Sequence, residues 1–291
     1  MEEVNPPSIE IPENIKGILA KFASWLVSQW TGRLRIKEIR SEGDKDIEDS
    51  LELFERLFKE DDRVASSDLV AFLRPPEKNE GRKDSLQHCF IIAKHGRKVA
   101  ALLKAIYCPI SRYVLVCYFG IDKSDLITRR IASPLMLRFF RKYIQKRWND
   151  CEGILYEAES PDGRARKKDN DERKARLRLF RELSKRLGFH AYAIDMKYAQ
   201  PHMADVKDFS AEHRKLTLIA MPPRRLKEEV LPKAACEKIL WFLILRIYAT
   251  TQVMTQQRRK TYLEYLNKLH SEMTAQLTDV VELNDRPELW R

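Results

Sequence analysis

The sequence predicts an α/β (α+β) protein: a mixed central sheet with helices on both faces, followed by a C-terminal helical extension. Three observations carry this. Short apolar runs rich in Val, Ile and Tyr, the strand signature, interleave with longer stretches whose apolar residues recur at helical spacing. The middle of the chain holds strands in succession, joined by tight polar turns, as in a meander. Beyond Pro222-Pro223-Arg224-Arg225 the pattern turns wholly helical. The division is therefore an N-terminal helical arm (1–31), an α/β domain (32–222) and a C-terminal extension (223–291).

In order, residues 14–30 place Ile15, Ile18, Leu19, Phe22, Trp25, Leu26 and Trp30 on one helical stripe, which Thr31-Gly32 ends. Leu34 to Ile39 alternates apolar and charged, a half-buried strand. Asp46 is placed to cap a helix carrying Ile47, Leu51, Phe54 and Phe58. A short helix over Asp68–Leu73 stops at Arg74-Pro75-Pro76, and 77–84 is a polar loop. Cys89–Ala93 and Val99–Tyr107 are strands about the turn Lys94-His95-Gly96-Arg97. Tyr113–Ile121 is apolar almost throughout and so calls for cover on both faces. A polar loop, 122–133, precedes a helix from Pro134 to Arg147, proline being suited to a first turn where no amide is needed. Gly153–Glu159 is a strand and Glu172–Leu187 a helix ended by Gly188. Phe189–Met196 and Lys215–Met221 are strands either side of a long loop. Two helices, about 229–250 and 255–278, close the chain.

Composition narrows the class. With 44% hydrophobic residues the chain can bury a sizeable core, which excludes disorder. Five cysteines, none in a CxxC pair, argue against a disulfide framework or zinc ribbon and for reduced, mostly buried thiols. The six histidines are scattered, and the adjacent His88-Cys89 pair points to opposite faces of a strand, so no metal is expected. The acidic start MEEVNPPSIEIPE lacks a basic, then apolar, leader, and the apolar run 239–247 is too short for a bilayer; a cytoplasmic protein with no membrane partner is expected. A net charge of +11 admits an acidic partner without requiring one.

Three local arrangements add a resemblance. The apolar strand YVLVCYFGI leads through a loop to the helix PLMLRFFRKY. Arg186-Leu187-Gly188-Phe189 ends the next helix. Tyr198-Ala199-Gln200-Pro201 precedes the strand LTLIAM. In this order, over about 190 residues, they resemble the GNAT (Gcn5-related) acyltransferases, in a divergent bacterial-type form. The family's loop motif Q/R-x-x-G-x-G/A matches Arg129-Arg130-Ile131-Ala132-Ser133-Pro134. Its glycine is Ala132 here and its last small residue Pro134. The acid tyrosine that the family often places four residues before the helix-ending glycine is Ser184.

The resemblance implies acetyl-CoA or another acyl-CoA as co-substrate, and a GNAT-like sheet whose central strand parts from its neighbour. Phe119, Gly120 and Ile121 would offer a strand edge to the amides of the pantetheine arm, as in β-augmentation; the alternative for Gly120 is a bulge glycine without a ligand. The diphosphate would meet the amides of Arg130, Ile131, Ala132 and Ser133 at a helix N-terminus, with Arg129 and Arg130 adding charge; otherwise this is an ordinary loop. Acyl transfer needs a base for the amine and a proton for the departing thiolate. Glu157 and Glu159, on one face of their strand, are the base candidates, or else salt-bridged carboxylates with Arg164 or Arg166. Tyr198 or Tyr118 would replace the absent tyrosine, or are wall aromatics.

Residues 164–186 hold eleven Lys/Arg against four Asp/Glu, and Lys174, Arg178, Arg181 and Lys185 line one predicted helix face. They read as a solvated surface or as a site for nucleic acid or an acidic partner. The C-terminal stripe, with Tyr262, Leu266, Leu269, Met273 and Leu277, packs back on the sheet or forms a homodimer. Three functions follow: an N-acyltransferase acting on an amine of a protein or small molecule by direct attack in a ternary complex; an inactive scaffold binding nucleic acid or a partner protein; or acylation of an aminoacylated tRNA.

Overall fold

The computed structural model describes residues 34–58, 64–73, 85–122, 124, 126–159, 167–194, 198, 200–201, 216–223, 230–250 and 256–285. The predicted helix 14–30 and the loop 77–84 lie outside these residues.

Seven strands form one sheet in the order β1-β2-β3-β4-β5-β7-β6. They are β1 Leu34–Ile39, β2 Gln87–His95, β3 Lys98–Cys108, β4 Tyr113–Ile121, β5 Gly153–Glu159, β6 Tyr192–Ile194 and β7 Leu216–Met221. All neighbours run antiparallel except β4 and β5. A parallel pair cannot be joined by a tight turn, because the chain must first return to the starting end. The helix α3, Leu126–Arg147, makes that return. The β2–β3 turn is tight, and Gly96 takes φ 62°, where a side chain would be strained.

Alternation along the strands sends two apolar sets to opposite faces. One face takes Ile91, Leu103, Val114, Ile154 and Tyr156 against Met136, Leu137, Phe140 and Trp148 from α3 and its end, and Leu177 of α4, Lys167–Leu187. Trp148 is 1% exposed, stacks on Tyr107 and donates its Nε1–H to Gln87 at 2.8 Å. Deleting such a side chain costs about 3–5 kcal/mol.

The opposite face has two separate covers. Over β1 to β4 lie α1, Ile47–Leu57, and α2, Ser66–Ala71, packed on Phe90, Ile92 and Leu102. Over β4 to β7 lies the C-terminal segment: α5, Lys233–Leu240, a π-helical run Trp241–Tyr248, and α6, Gln256–Thr274. Ile239, Phe242, Leu243 and Ile244, with Tyr262, Leu266 and Met273, cover Leu115, Leu155 and Leu218. The stripe offered to a homodimer is thus buried within the chain. Two short strands, β8 Val230–Leu231 and β9 Val280–Val281, pair with each other. The Leu283 amide donates to the Ala191 carbonyl at 2.6 Å beside β6.

Three expectations are corrected. The helix read from Pro134 begins at Leu126 and carries Pro134 inside it, so the loop 122–133 is mostly helix. Asp46 stands at the N-cap of α1 but caps nothing with its side chain. Its carboxylate is drawn instead to Lys37 at 2.7 Å and to Lys94. Of the strand read over Phe189–Met196, the described residues 189–191 lie outside β6, which is Tyr192–Ile194.

Candidate functional site

Strands β4 and β5 pair only from Tyr113 with Gly153 to Val116 with Tyr156. Each continues beyond that level, β4 through Cys117 to Ile121 and β5 through Glu157 to Glu159, without pairing to the other. Their outer edges stay bonded, β4 to β3 and β5 to β7. The two strands therefore part like a fork. The cause is visible one strand away: Lys104 of β3 pairs with Tyr118 and Ala105 with Val116, so Cys117 is an extra residue in β4. Such a bulge bends its strand and sharpens its twist. The crevice opens at the carboxyl ends of the parallel pair, where ligands of open α/β sheets settle.

Phe119, Gly120 and Ile121 lie on the parted length of β4. Phe119 and Ile121 pack toward the α3 side. Gly120 has a packing reason to lack a side chain: a Cβ there would stand 2.6 Å from Leu57 Cδ1 and 3.1 Å from the Phe58 ring. Its freedom serves the approach of α1, so the glycine needs no ligand to explain it.

The turn after β4 is organised by Asp122, whose carboxylate meets Arg56 at 2.9 Å and Lys98 at 2.8 Å and accepts the Ser124 amide at 3.0 Å. Helix α3 then starts at Leu126. A helix leaves free only the amides of its first turn. Arg130, Ile131, Ala132 and Ser133 are in later turns, with their amides inside the ladder, so they are not the amides that face outward. The amides that the ladder leaves free are those of the first turn from Leu126. The sequence misled because Pro134 favours a first turn, yet here it sits mid-helix and exposed. Ala132 is buried against the sheet and Ser133 half-buried; the side chains of Arg129, Arg130 and Ile131 lie outside the described residues.

Glu157 and Glu159 have different surroundings. Glu159 pairs with Arg176 at 2.8 Å and Arg173 at 3.8 Å, both of α4. Those are not the arginines expected, but the salt-bridged alternative is the one the structure has. Glu157 stands just past the parting level, on the face covered by the C-terminal segment. Tyr198 donates to its Oε1, and Tyr248 donates to Oε1 at 3.0 Å and Oε2 at 3.2 Å. Gln200 Nε2 donates to the Tyr248 hydroxyl at 3.2 Å. Burial, then the charge of Glu157, raises both phenols well above the usual tyrosine range. Tyr248, at the end of the π-helical run, was not foreseen; no local motif marks a residue 91 positions away from its partner.

Across the same face lies a buried cation, also missed. Lys104 is 2% exposed. Its Nζ is 3.0 Å from His88 Nδ1 and 5.0 Å from the Phe72 ring centroid, and Phe72 stacks on His88 at 4.6 Å. Burial lowers the lysine to about 8; burial and then the Lys104 charge lower His88 to about 2. His88 is therefore neutral and accepts from the ammonium. Cys117 lies within electrostatic reach of both Lys104 and Glu157, and burial pushes its thiol up to about 12, which suits packing better than attack. Tyr118 belongs to the α1 side: its ring meets Phe54 and Phe58, and its hydroxyl accepts the Val64 amide at 3.0 Å.

On α4, Arg178 and Lys185 are exposed, Lys174 is half-buried, and Arg181 pairs with Glu182 at 2.5 Å. Among the described residues no helix is long and apolar enough to cross a membrane, and no group of three His, Cys, Asp or Glu residues gathers as metal ligands.

No family model and no curated protein matches the chain. Several solved structures are similar. A GNAT-family protein from Bacteroides thetaiotaomicron is 12% identical, over 74% of this chain and 98% of its own, with a TM-score of 0.47. The ribosomal-protein-S18-alanine N-acetyltransferase from Escherichia coli is 11% identical over 65% and 93%, with a TM-score of 0.40. An IAA acetyltransferase from Bacillus cereus is 10% identical over 65% and 99%, with a TM-score of 0.38. With β4 and β5 parallel, every other neighbouring pair antiparallel and helices on both faces, this is the mixed central sheet that the sequence predicts.

Proposed function

We propose that the chain is an acyl-CoA-dependent N-acyltransferase, with acetyl-CoA its simplest co-substrate and an amine its acceptor. One observation carries the reading: two adjacent parallel strands part at Val116 and Tyr156, and a carboxylate held by two buried tyrosines stands beside the opening.

The fit of a CoA thioester follows from that geometry. The main chain of Cys117–Ile121 can pair with the amides of an extended arm. The first turn of α3, beyond the end of β4, presents amides and the positive end of the helix dipole to a diphosphate. When bound, the co-substrate supplies the activated acyl carbon. The residues of the chain hold and move protons. Glu157 takes the proton of the acceptor amine. Tyr198, hydrogen-bonded to Glu157, hands its own proton to the departing sulfur and is restored from the carboxyl. One proton thus passes from nitrogen to sulfur, as the overall reaction requires. Glu159, tied to Arg173 and Arg176, holds the start of α4 to the end of β5.

Thermal unfolding with acetyl-CoA tests the reading. At a hundred times its dissociation constant, a ligand of the folded state adds about 2.7 kcal/mol, or a rise of about 5 °C for a chain of this size. Glu157→Gln should bind acetyl-CoA as the wild type does and lose about 10²–10⁴-fold in turnover, the usual worth of a general base. No stabilisation at millimolar acetyl-CoA would refute the assignment and leave a scaffold with a basic face.

A further inference from the structure

We propose that Tyr248 is a positioning residue of the site, and that the C-terminal segment is thereby a working part of it rather than only a cover for the sheet. The inference rests on the transferase reading for its catalytic consequence, but not for its geometry.

The segment has an unusual backbone. All of Trp241–Tyr248 is π-helical, where single π turns are already rare and concentrate at functional sites. Its hydrogen bonds reach one residue farther than those of α5, so it winds less per residue. Continued as an α-helix, the same residues would bring Tyr248 out on a different heading, away from Glu157. Packing alone gives no reason for the hydroxyl, since its neighbours Leu243, Ile244 and Ile247 are apolar. A buried hydroxyl is costly unless bonded. Here it is bonded on both sides, accepting from Gln200 at 3.2 Å and donating to Glu157.

The donor reaches both carboxylate oxygens, at 3.0 and 3.2 Å, and so fixes the plane of the carboxyl, which a bond to one oxygen leaves free to turn. Gln200 sets the phenol's own rotation by occupying its acceptor side. The chain Gln200 to Tyr248 to Glu157 therefore aims the carboxylate at the fork and favours its ionised form, because the bond is stronger to a charged acceptor.

The test uses Tyr248→Phe in the full chain and follows the Glu157 side-chain carboxyl by ¹³C NMR across a pH titration, without ligand. Losing a hydrogen bond to a charged group should raise the titration midpoint by about one pH unit. Turnover should fall about tenfold with the KM for acetyl-CoA unchanged. Gln200→Leu, which keeps the ring, should shift the midpoint the same way by less; it decides the matter if the phenylalanine variant does not fold. A folded Tyr248→Phe protein with an unmoved midpoint overturns the proposal. A wild-type protein that ignores acetyl-CoA overturns the transferase reading instead, and the titration still reports on Tyr248.

Discussion

Replacing Lys104 with methionine should change how stability depends on pH, by an amount the structure sets. A free lysine titrates near 10.4 and Lys104 near 8, a gap of roughly 2.5 units, or about 3 kcal/mol. The fold lowers this pKa, so between about pH 8 and 10.4 the unfolded chain holds the proton that the native state has released. Stability from this group therefore rises with pH across that window, and below it the full burden of a buried charge remains. Cys89, Cys117 and Cys236, pushed to about 12 by burial, act in the opposite sense above pH 9. Only the difference between two proteins isolates the lysine. Methionine fills a similar volume and leaves His88 Nδ1 without its donor. That costs about 1–3 kcal/mol at every pH in the range, because His88 stays neutral throughout. In urea unfolding under reducing conditions, the wild type should gain about 2.5 kcal/mol on the variant between about pH 7 and pH 10. Parallel stability curves would mean that Lys104 carries no buried charge.

Two further substitutions test the backbone beside the fork. Pro134→Ala restores a missing amide within α3 and should stabilise the protein by up to about 3 kcal/mol in chemical denaturation; a neutral or unfavourable result would put the start of the helix at Pro134. Gly120→Ala places a methyl group 2.6 Å from Leu57 and should cost about 1–3 kcal/mol, and shortening the obstacle with Leu57→Ala in the same chain should recover part of it relative to the sum of the two single changes.

Much of this architecture was legible in the sequence because period-two and helical patterns report burial directly. Leu34–Ile39 falls where its alternation placed it, and the apolar run Tyr113–Ile121 and the segment Gly153–Glu159 are strands with the bounds read for them. The errors arose where one local rule met a tertiary one. Pro134 obeys the rule for a first turn, yet α3 extends past it because Ala132 and Met136 both bury against the sheet. Asp46 has the chemistry of a cap, but two lysines on neighbouring strands hold it more strongly. The candidate site was half visible. Glu157 and Tyr198 could be named because a strand pattern and a motif marked them. Lys104 and Tyr248 could not: a lysine in a strand reads as solvent-facing, and a tyrosine at the end of an apolar helix reads as core. Only the pairing register and the π winding reveal what they face.

The order in which the chain is made has a consequence for this fold. Glu157 leaves the ribosome long before Tyr248, and the residues that close the edge beside Ala191 follow later still. Until then the nascent sheet bears a carboxylate without one of its two phenols and an apolar face without its second cover. Contacts so distant in sequence form late and slowly. The half-made domain is thus at its most adhesive until that segment emerges, and a chaperone would find its binding surface on the very face that α5 and α6 come to occupy.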